Sequence, residues 1–279
     1  MSLTINTNKS AMVALQNLNS TSDKLGVTQN KVGTGLRIAT SKDNSSIWAI
    51  AQNQRADIGG LSSVKMGLDR AQSIGDVALT AGQSISELLV QMKEKVVAAQ
   101  DASITTTSRR ALDADFKSLL AQISQVIRNA SFDGADLLDN SLPGGLRFLA
   151  DADATTYVTL ANQDLSLGST IITLASTSSI TSTTLASNAL SQLQASIGNV
   201  SLALARMGAQ VRQIENHNKF VGKLSDSIEA GIGNLVDADL AKESARLQAL
   251  QVQQQLGAQA LSIANQSPNI ILSLFRGGS

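Results

Sequence analysis

Cysteine is absent from the 279 residues, which removes disulfide frameworks and thiolate metal sites. Rings are scarce: aromatic residues make up 3% of the chain, with a single Trp and a single Tyr. A core with so few rings favours long helices packed by Leu, Ile, Val and Ala. The formal net charge is zero and no basic block stands out, which argues against nucleic acid as the main partner, because phosphate binding needs clustered Lys and Arg. Zero charge also leaves little self-repulsion and suits a protein that packs against its own copies. The single histidine, His217, cannot build a standard zinc site without other ligands and is read as solvated or interfacial. The Asp113/Asp115, Asp151/Asp153 and Asp237/Asp239 pairs are read as caps and turns. Gly33-x-Gly35 is too short for a dinucleotide fingerprint. No catalytic constellation, cofactor or metal site is expected. The apolar runs are too short to span a bilayer. Met1–Lys9 lacks the pattern of a secretory signal, so no cleaved signal peptide is expected.

What the chain does have is periodicity. From Leu190 to Leu235, apolar residues recur at alternating steps of three and four, through Leu193, Ile197, Val200, Leu204, Met207, Val211, Ile214, Val221, Ile228 and Ile232. This is the seam of a coiled coil, where each knob needs a hole on a facing helix. Such a helix spans roughly 70 Å at about 1.5 Å per residue. Asn218 sits in a seam position and is expected to fix register. A second seam of similar length runs through Leu61, Val64, Leu68, Ala71, Gly75, Ala78, Gly82, Ile85, Leu89, Met92, Val96 and Ala99. The simplest arrangement pairs the two seams antiparallel within one chain. Gly75 and Gly82 cost helix propensity, about 1 kcal/mol each relative to Ala, and point to a close helix neighbour.

A third helix is expected through Leu112, Phe116, Leu119, Ile123, Val126 and Ala130, ending at the turn signal Ser131-Phe132-Asp133-Gly134. The stretch 140–187 changes character. Leu146–Ala150, Thr156–Ala161 and Thr170–Leu174 are β-prone, and Ser176–Thr184 reads as an exposed turn. Thr40-x-x-Asp43 resembles a capping box opening a helix. The two ends are also amphipathic. Ala11–Leu36 carries Leu18, Leu25 and Val32 on one row, with Leu15, Ser22, Gln29 and Leu36 beside it. The last helix places Leu240, Leu247, Ala249, Val252, Leu256, Ala260 and Ile263 as its apolar positions, with glutamines on the other face. Ser267-Pro268 should end or kink it, before the apolar tail Ile270–Arg276. Both ends are expected to order on assembly.

The ends carry a resemblance. Ile5-Asn6-Thr7-Asn8, Asn17-Leu18-Asn19, Leu25-Gly26, Gly35-Leu36-Arg37-Ile38 and Ser41-Lys42-Asp43 stand at one end. Asp237-Ala-Asp239-Leu-Ala241, Glu243, Gln259–Gln266, Pro268 and Leu272-Ser273-Leu274 stand at the other. In this order the motifs resemble bacterial flagellins, in the alphaproteobacterial style. The resemblance covers nearly all of the chain except about 140–187.

The resemblance implies a mainly α fold, an elongated antiparallel helical hairpin or coiled-coil rod with a small β-hairpin region and no large outer domains. It implies an inner coiled-coil domain from 1–42 and 236–279. A rod domain would follow from 43–140, its β-hairpin part 141–187, and the helix 188–235. The function implied is that of a secreted structural subunit polymerising into the extracellular flagellar filament for swimming motility. Partners would be identical subunits, alone or mixed with other flagellins, hook-associated and cap proteins, an export chaperone, and the flagellar type III export apparatus. Assembly residues would be Leu15, Leu18, Leu25, Val32, Leu36, Leu240, Leu247, Leu256, Leu261, Ile263, Ile271, Leu272, Leu274 and Phe275. Leu61, Leu68, Ile85, Leu89, Leu190, Ile197, Leu204, Val211 and Ile228 would form the intrachain seam. Members sensed by Toll-like receptor 5 carry an Arg-Glu-Leu core. Here Lys93, Glu94 and Lys95 stand in its place, with Asp115 as the nearby acid, so that site reads as degraded. Gly277–Ser279 reads as a scar or short extension. Two other readings remain at this stage: a hook-associated junction protein, and a secreted protein inserting into membranes through Leu256–Phe275.

Overall fold

The computed structural model describes residues 7–276, with side chains described through Gln266. Five helices and two short antiparallel strand pairs make up the described elements: α1 (Lys9–Thr34), α2 (Ser45–Gln100), α3 (Thr106–Asn129), β1 (Ser131–Phe132), β2 (Ala135–Asp136), β3 (Leu146–Leu149), β4 (Tyr157–Leu160), α4 (Thr183–Val236) and α5 (Leu240–Arg276). They divide into two compact units. One takes the chain up to Arg55 and again from Ile228; the other spans Ala56–Ser227.

The Ala56–Ser227 unit is organised on α2 and α4, antiparallel. Every seam position of α2 from Leu61 to Ala99 is buried, because this helix is covered on a broad stripe. A Cβ on Gly75 would meet Val211, and one on Gly82 would meet Leu204. The two glycines are seven residues apart and meet residues seven apart in the opposite order, which is antiparallel heptad packing. The backbones approach there because no side chain intervenes. Asn218 extends the same register, donating from Nδ2 to Asp69 Oδ1 at 2.5 Å.

On α4 the rows differ from the sequence expectation. Leu193, Val200, Met207 and Ile214 are buried as one row. The row beside it is Ala189, Ser196 and Ala203, also buried, while Leu190, Ile197 and Leu204 are half-buried. Small residues win the inner row because the 170s loop packs on that side: Ser196 Oγ accepts from the Thr173 amide at 3.0 Å. In α3 the buried row is Asp113, Phe116, Leu120, Ile123 and Ile127, with Leu119 beside it, while Leu112 and Val126 are half-buried.

Asp133-Gly134 does more than end α3. Both residues have positive φ, at 51° and 78°, and join β1 to β2 as a hairpin. That is the backbone a two-residue Asp-Gly loop favours. Arg70 holds the turn through Asp133 at 2.7 Å. The hairpin of β3 and β4 pairs Leu146 with Leu160 through to Leu149 with Tyr157. It is held at both ends by α4. His217 Nε2 lies 2.7 Å from the Ala150 carbonyl, and Gln210 accepts from the Ala161 amide at 3.1 Å. Thr170–Leu174 forms no strand; only the bridge between Leu167 and Ile172 appears there. Its alternation instead serves packing, with Ile172 and Leu174 fully buried. Ser176–Thr184 is likewise not wholly an exposed turn. Ile180 is fully buried, and its amide donates to Asp113 Oδ1 at 2.7 Å. Burial pushes the Asp113 carboxyl up, but Lys117, the Ile180 amide and the Ser179 hydroxyl outweigh it and hold the pKa below 3.8.

The other unit begins with α1, which ends at Gly35 in the left-handed conformation, φ 72°. Leu36 therefore lies beyond the helix, bridged to Asp237. The loop that follows caps the end of α4. The Arg37 and Ile38 amides donate to the Val236 carbonyl at 2.7 and 3.2 Å, and the Arg37 guanidinium donates to the Leu235 carbonyl at 2.7 Å. These are carbonyls a helix end leaves without partners. Thr40 does not cap α2. Asn44 does, accepting from the Ile47 amide at 3.1 Å, while Asp43 turns back to the Ala39 and Thr40 amides and closes the loop.

Candidate assembly surface

Helices α1 and α5 pair antiparallel. The inward stripe of α1 is Ala11, Ala14, Leu18, Thr21, Leu25, Thr28 and Val32, each buried or half-buried. That of α5 is Glu243, Leu247, Leu250, Gln254, Gly257, Leu261 and Ala264, again at alternating steps of three and four. Leu18 sits over Gly257, where an added Cβ would lie 3.2 Å from Leu18 Cδ1. Lys31 and Glu243 approach to 4.0 Å at one end of the pair. At the other, Asn8 Nδ2 donates to the Ala264 carbonyl at 2.7 Å.

This seam is built largely from small and polar residues. Six of its fourteen residues are large and apolar (Leu18, Leu25, Val32, Leu247, Leu250 and Leu261), and as many or more large apolar side chains point away from it. Met12, Val13, Leu15 and Val27 on α1 are 63%, 57%, 47% and 51% exposed; Val252, Leu256 and Ile263 on α5 are 54%, 57% and 70% exposed. Val13, Ala14, Leu256, Gly257 and Ala260 line one open groove of about 680 Å³ along the pair. An apolar face of this kind on a helix pair marks an interaction surface. Covering one such side chain contributes about 1.5–3 kcal/mol.

The sequence-derived assembly residues therefore divide. Leu18, Leu25, Val32, Leu247 and Leu261 belong to the internal stripe, and Leu36 lies half-buried in the bridge to Asp237. Leu15, Leu240, Leu256 and Ile263 face outward. Ile271, Leu272, Leu274 and Phe275 fall on the last turns of α5, and their side chains lie outside the described residues. Gly277–Ser279 also lie outside them. On α1 the row Leu18, Leu25 and Val32 packs inward as its spacing predicts, but the row beside it is Ala14, Thr21 and Thr28 rather than Leu15, Ser22 and Gln29. On α5 sequence reading put the glutamines opposite the packed face, yet Gln254 is on that face. The signal available was the run of small residues at heptad spacing, which permits close backbone approach but reads as weak by hydropathy. Pro268 does not end α5, which continues to Arg276.

In the Ala56–Ser227 unit, Leu61, Leu68, Ile85 and Leu89 are buried, Val211 is 7% exposed, and Leu190, Ile197 and Leu204 are half-buried. Ile228, in the other unit, is half-buried. Lys93 and Glu94 are exposed on α2, and Lys95 is ion-paired with Asp115 at 2.8 Å. Among the described residues there is no group of three or more His, Asp or Glu placed to hold a metal ion. None of the described helices is long and apolar enough to cross a membrane.

The flagellin family models match at both ends: the bacterial flagellin N-terminal helical region over residues 5–142 and its C-terminal helical region over 180–275. Flagellin FljJ of Caulobacter vibrioides is 51% identical, with 100% of both chains covered. A flagellin of Brucella melitensis is 39% identical, covering 97% of this chain and 98% of its own. In fold alone, the chain is similar to a protein of Vibrio parahaemolyticus assigned as flagellar hook-associated, at TM-score 0.53 and 14% identity, covering 70% of this chain and 100% of that one. The full-length relatives decide between the junction and filament readings. With its two ends paired as one antiparallel helix pair and both matching the family models, the chain belongs to the bacterial flagellin family, structural proteins that form the flagellar filament, and is not an enzyme.

Proposed function

We propose that copies of this flagellin polymerise through the outward face of the α1–α5 pair, with Met12, Val13, Leu15, Val252, Leu256 and Ile263 as the principal buried residues. The observation that carries this reading is the inversion of the pair. More than half of its own seam is small or polar, while Met12, Val13, Leu15, Val252, Leu256 and Ile263 stand exposed. The sequence-derived assembly residues Ile271, Leu272, Leu274 and Phe275 are taken to be buried on polymerisation as well. The α2–α4 pair, rigid through its internal core, carries the load between such contacts. Export to the filament runs through the flagellum's own type III apparatus, with an export chaperone, and the filament meets hook-associated and cap proteins at its ends; family membership supports these partners.

Seeded polymerisation of purified monomer tests the surface. Light scattering and negative-stain microscopy should show filaments from the native chain. The double variant Leu256→Glu, Ile263→Glu should stay monomeric with unchanged helix content, and a chain lacking Asn269–Ser279 should stay monomeric too, short only of the last turns of α5. Filaments from the double variant at the native critical concentration would exclude this face.

The exposed Lys93 and the Lys95–Asp115 ion pair favour a second, smaller inference: weak sensing by Toll-like receptor 5. Lys lacks the planar fork of Arg, and Lys95 puts a charge where the family core has Leu. A receptor-reporter cell line should respond far less than to a flagellin with the Arg-Glu-Leu core; an equal response would remove this inference.

A further inference from the structure

Pro268 creates a fault inside α5. In a helix, the carbonyl of residue 264 accepts from the amide of residue 268. Proline has no amide hydrogen, so the Ala264 carbonyl loses that partner. The helix nevertheless continues to Arg276. The missing donor comes from the far end of the chain: Asn8 Nδ2 donates to the Ala264 carbonyl at 2.7 Å. The other end of the same amide is occupied as well. Asn8 is the N-cap of α1, and its Oδ1 accepts from the Ala11 amide at 3.0 Å. Only one orientation of the side chain satisfies both, since the Ala11 amide can only donate and the Ala264 carbonyl can only accept.

We propose that Asn8 is a positioning residue for polymerisation. Its amide starts α1 and fills the vacancy that Pro268 leaves in α5, so a single side chain sets the register of the two ends. It also carries the helix into the segment bearing Ile271, Leu274 and Phe275. Those residues recur at the spacing of one helical face, so they form one stripe only if the helix continues past Pro268. Asn is the side chain that fits. Asp caps equally well but offers no donor. Ser and Thr also cap, but a single hydroxyl cannot serve an acceptor and a donor in opposite directions at that reach. The proposal rests on the reading that the α1–α5 pair is the assembly surface.

The test is a double-mutant cycle on the full-length chain, with the critical concentration for seeded polymerisation as the readout. Asn8→Asp keeps the cap and removes the donor. It should raise the critical concentration about tenfold, the size of effect expected when a carbonyl loses its partner. Pro268→Ala restores the amide of residue 268 and polymerises like the native chain or better. In that background Asn8→Asp should change the critical concentration by no more than about twofold, because the vacancy no longer exists. An equal penalty in both backgrounds would assign Asn8 to capping or charge alone and overturn the proposal. So would native behaviour of Asn8→Asp, or failure of both Asn8→Asp chains beside a competent Pro268→Ala. The Leu256→Glu, Ile263→Glu chain separates the two claims. If it polymerises normally, the assembly surface is wrong; if it stays monomeric while Asn8→Asp assembles normally, only the role of Asn8 is wrong.

Discussion

The two units of this flagellin are built from the same device, an antiparallel pair of helices with heptad spacing, and use it in opposite ways. In the Ala56–Ser227 unit the large apolar residues face inward. Leu68, Ile85, Leu89, Met92, Phe116 and Ile123 are fully buried, and Leu160, Leu165, Ile172 and Leu174 from the connecting segment cover what the helices leave open. In the α1–α5 pair the inward rows mix Ala, Thr, Gln, Glu and Gly with five leucines and Val32, and Leu256 and Ile263 face out. The first unit closes a full core within the chain, although Met66, Leu202 and Phe220 remain more than half exposed. The second leaves a large apolar face uncovered, the face proposed above for contact with other copies.

The sharpest way to break this comparison is to remove apolar volume from each unit. Phe116→Ala should cost the monomer about 3–5 kcal/mol, the range for a buried Phe whose site cannot collapse. Leu256→Ala should leave monomer stability within about 0.5 kcal/mol, as for surface substitutions, and weaken polymerisation instead. Urea denaturation of the monomer beside seeded assembly reads both. A Leu256→Ala monomer that loses stability like Phe116→Ala would show that the α1–α5 face is already covered within the subunit.

A smaller effect distinguishes the two glycines of the α2–α4 seam. Ala at either position gains about 1 kcal/mol of helix propensity. At Gly82 the obstacle is the end of the Leu204 side chain, which is half-buried and can rotate away. At Gly75 it is a methyl of Val211, β-branched and 7% exposed, with no further torsion to relieve the overlap. Gly82→Ala should therefore be near neutral, and Gly75→Ala should destabilise by about 1–3 kcal/mol. Equal values in thermal denaturation would mean that the helices re-space rather than the side chains.

Much of this fold was legible because heptad periodicity is a long-range signal repeated many times. The α2 row from Leu61 to Ala99 is buried throughout, and the antiparallel pairing followed from its match in length with α4. Phase within a heptad was less legible. Two rows flank any apolar row, and hydropathy favours the one with leucines. In both α1 and α4 the inner row is instead the one with Ala, Ser and Thr, because close packing needs small residues there. Pro268 misled for a related reason. A local rule ends the helix, but Asn8, 256 residues from Ala264 along the chain, supplies the donor that the rule assumes is missing. The Asp133-Gly134 hairpin was visible as a turn, but strands of two residues leave no alternation to read. Asp113 was assigned a capping role, whereas it is buried in the α3 row and anchors Ile180.

The smallest predicted effect concerns two buried aspartates of the Ala56–Ser227 unit with opposite signs. Asp136 is 8% exposed, and burial pushes its carboxyl above the ordinary 3.8; the Leu138 amide, donating to Oδ1 at 2.8 Å, works against this, and nearby Asp139 adds to it. The folded state therefore binds its proton more tightly than the unfolded state does. Stability from this group falls as pH rises from about 3.8 through the raised value, and the full penalty is present at neutral pH. Asp113 is the reverse, with a folded pKa held below 3.8. Its contribution is full above 3.8 and is lost as pH falls through the lowered value. Asn at 136 keeps an oxygen for the Leu138 amide and carries no charge, so Asp136→Asn should match or exceed native stability at pH 7, and the gain should vanish below about pH 3.8. Asn at 113 deprives Lys117 of its partner at 2.8 Å, so Asp113→Asn should destabilise at pH 7 and approach the native chain on acidification. Urea unfolding of the three monomers at pH 7 and pH 3 checks both signs. A destabilised Asp136→Asn at neutral pH would mean that its carboxylate holds Leu138 more strongly than burial opposes it.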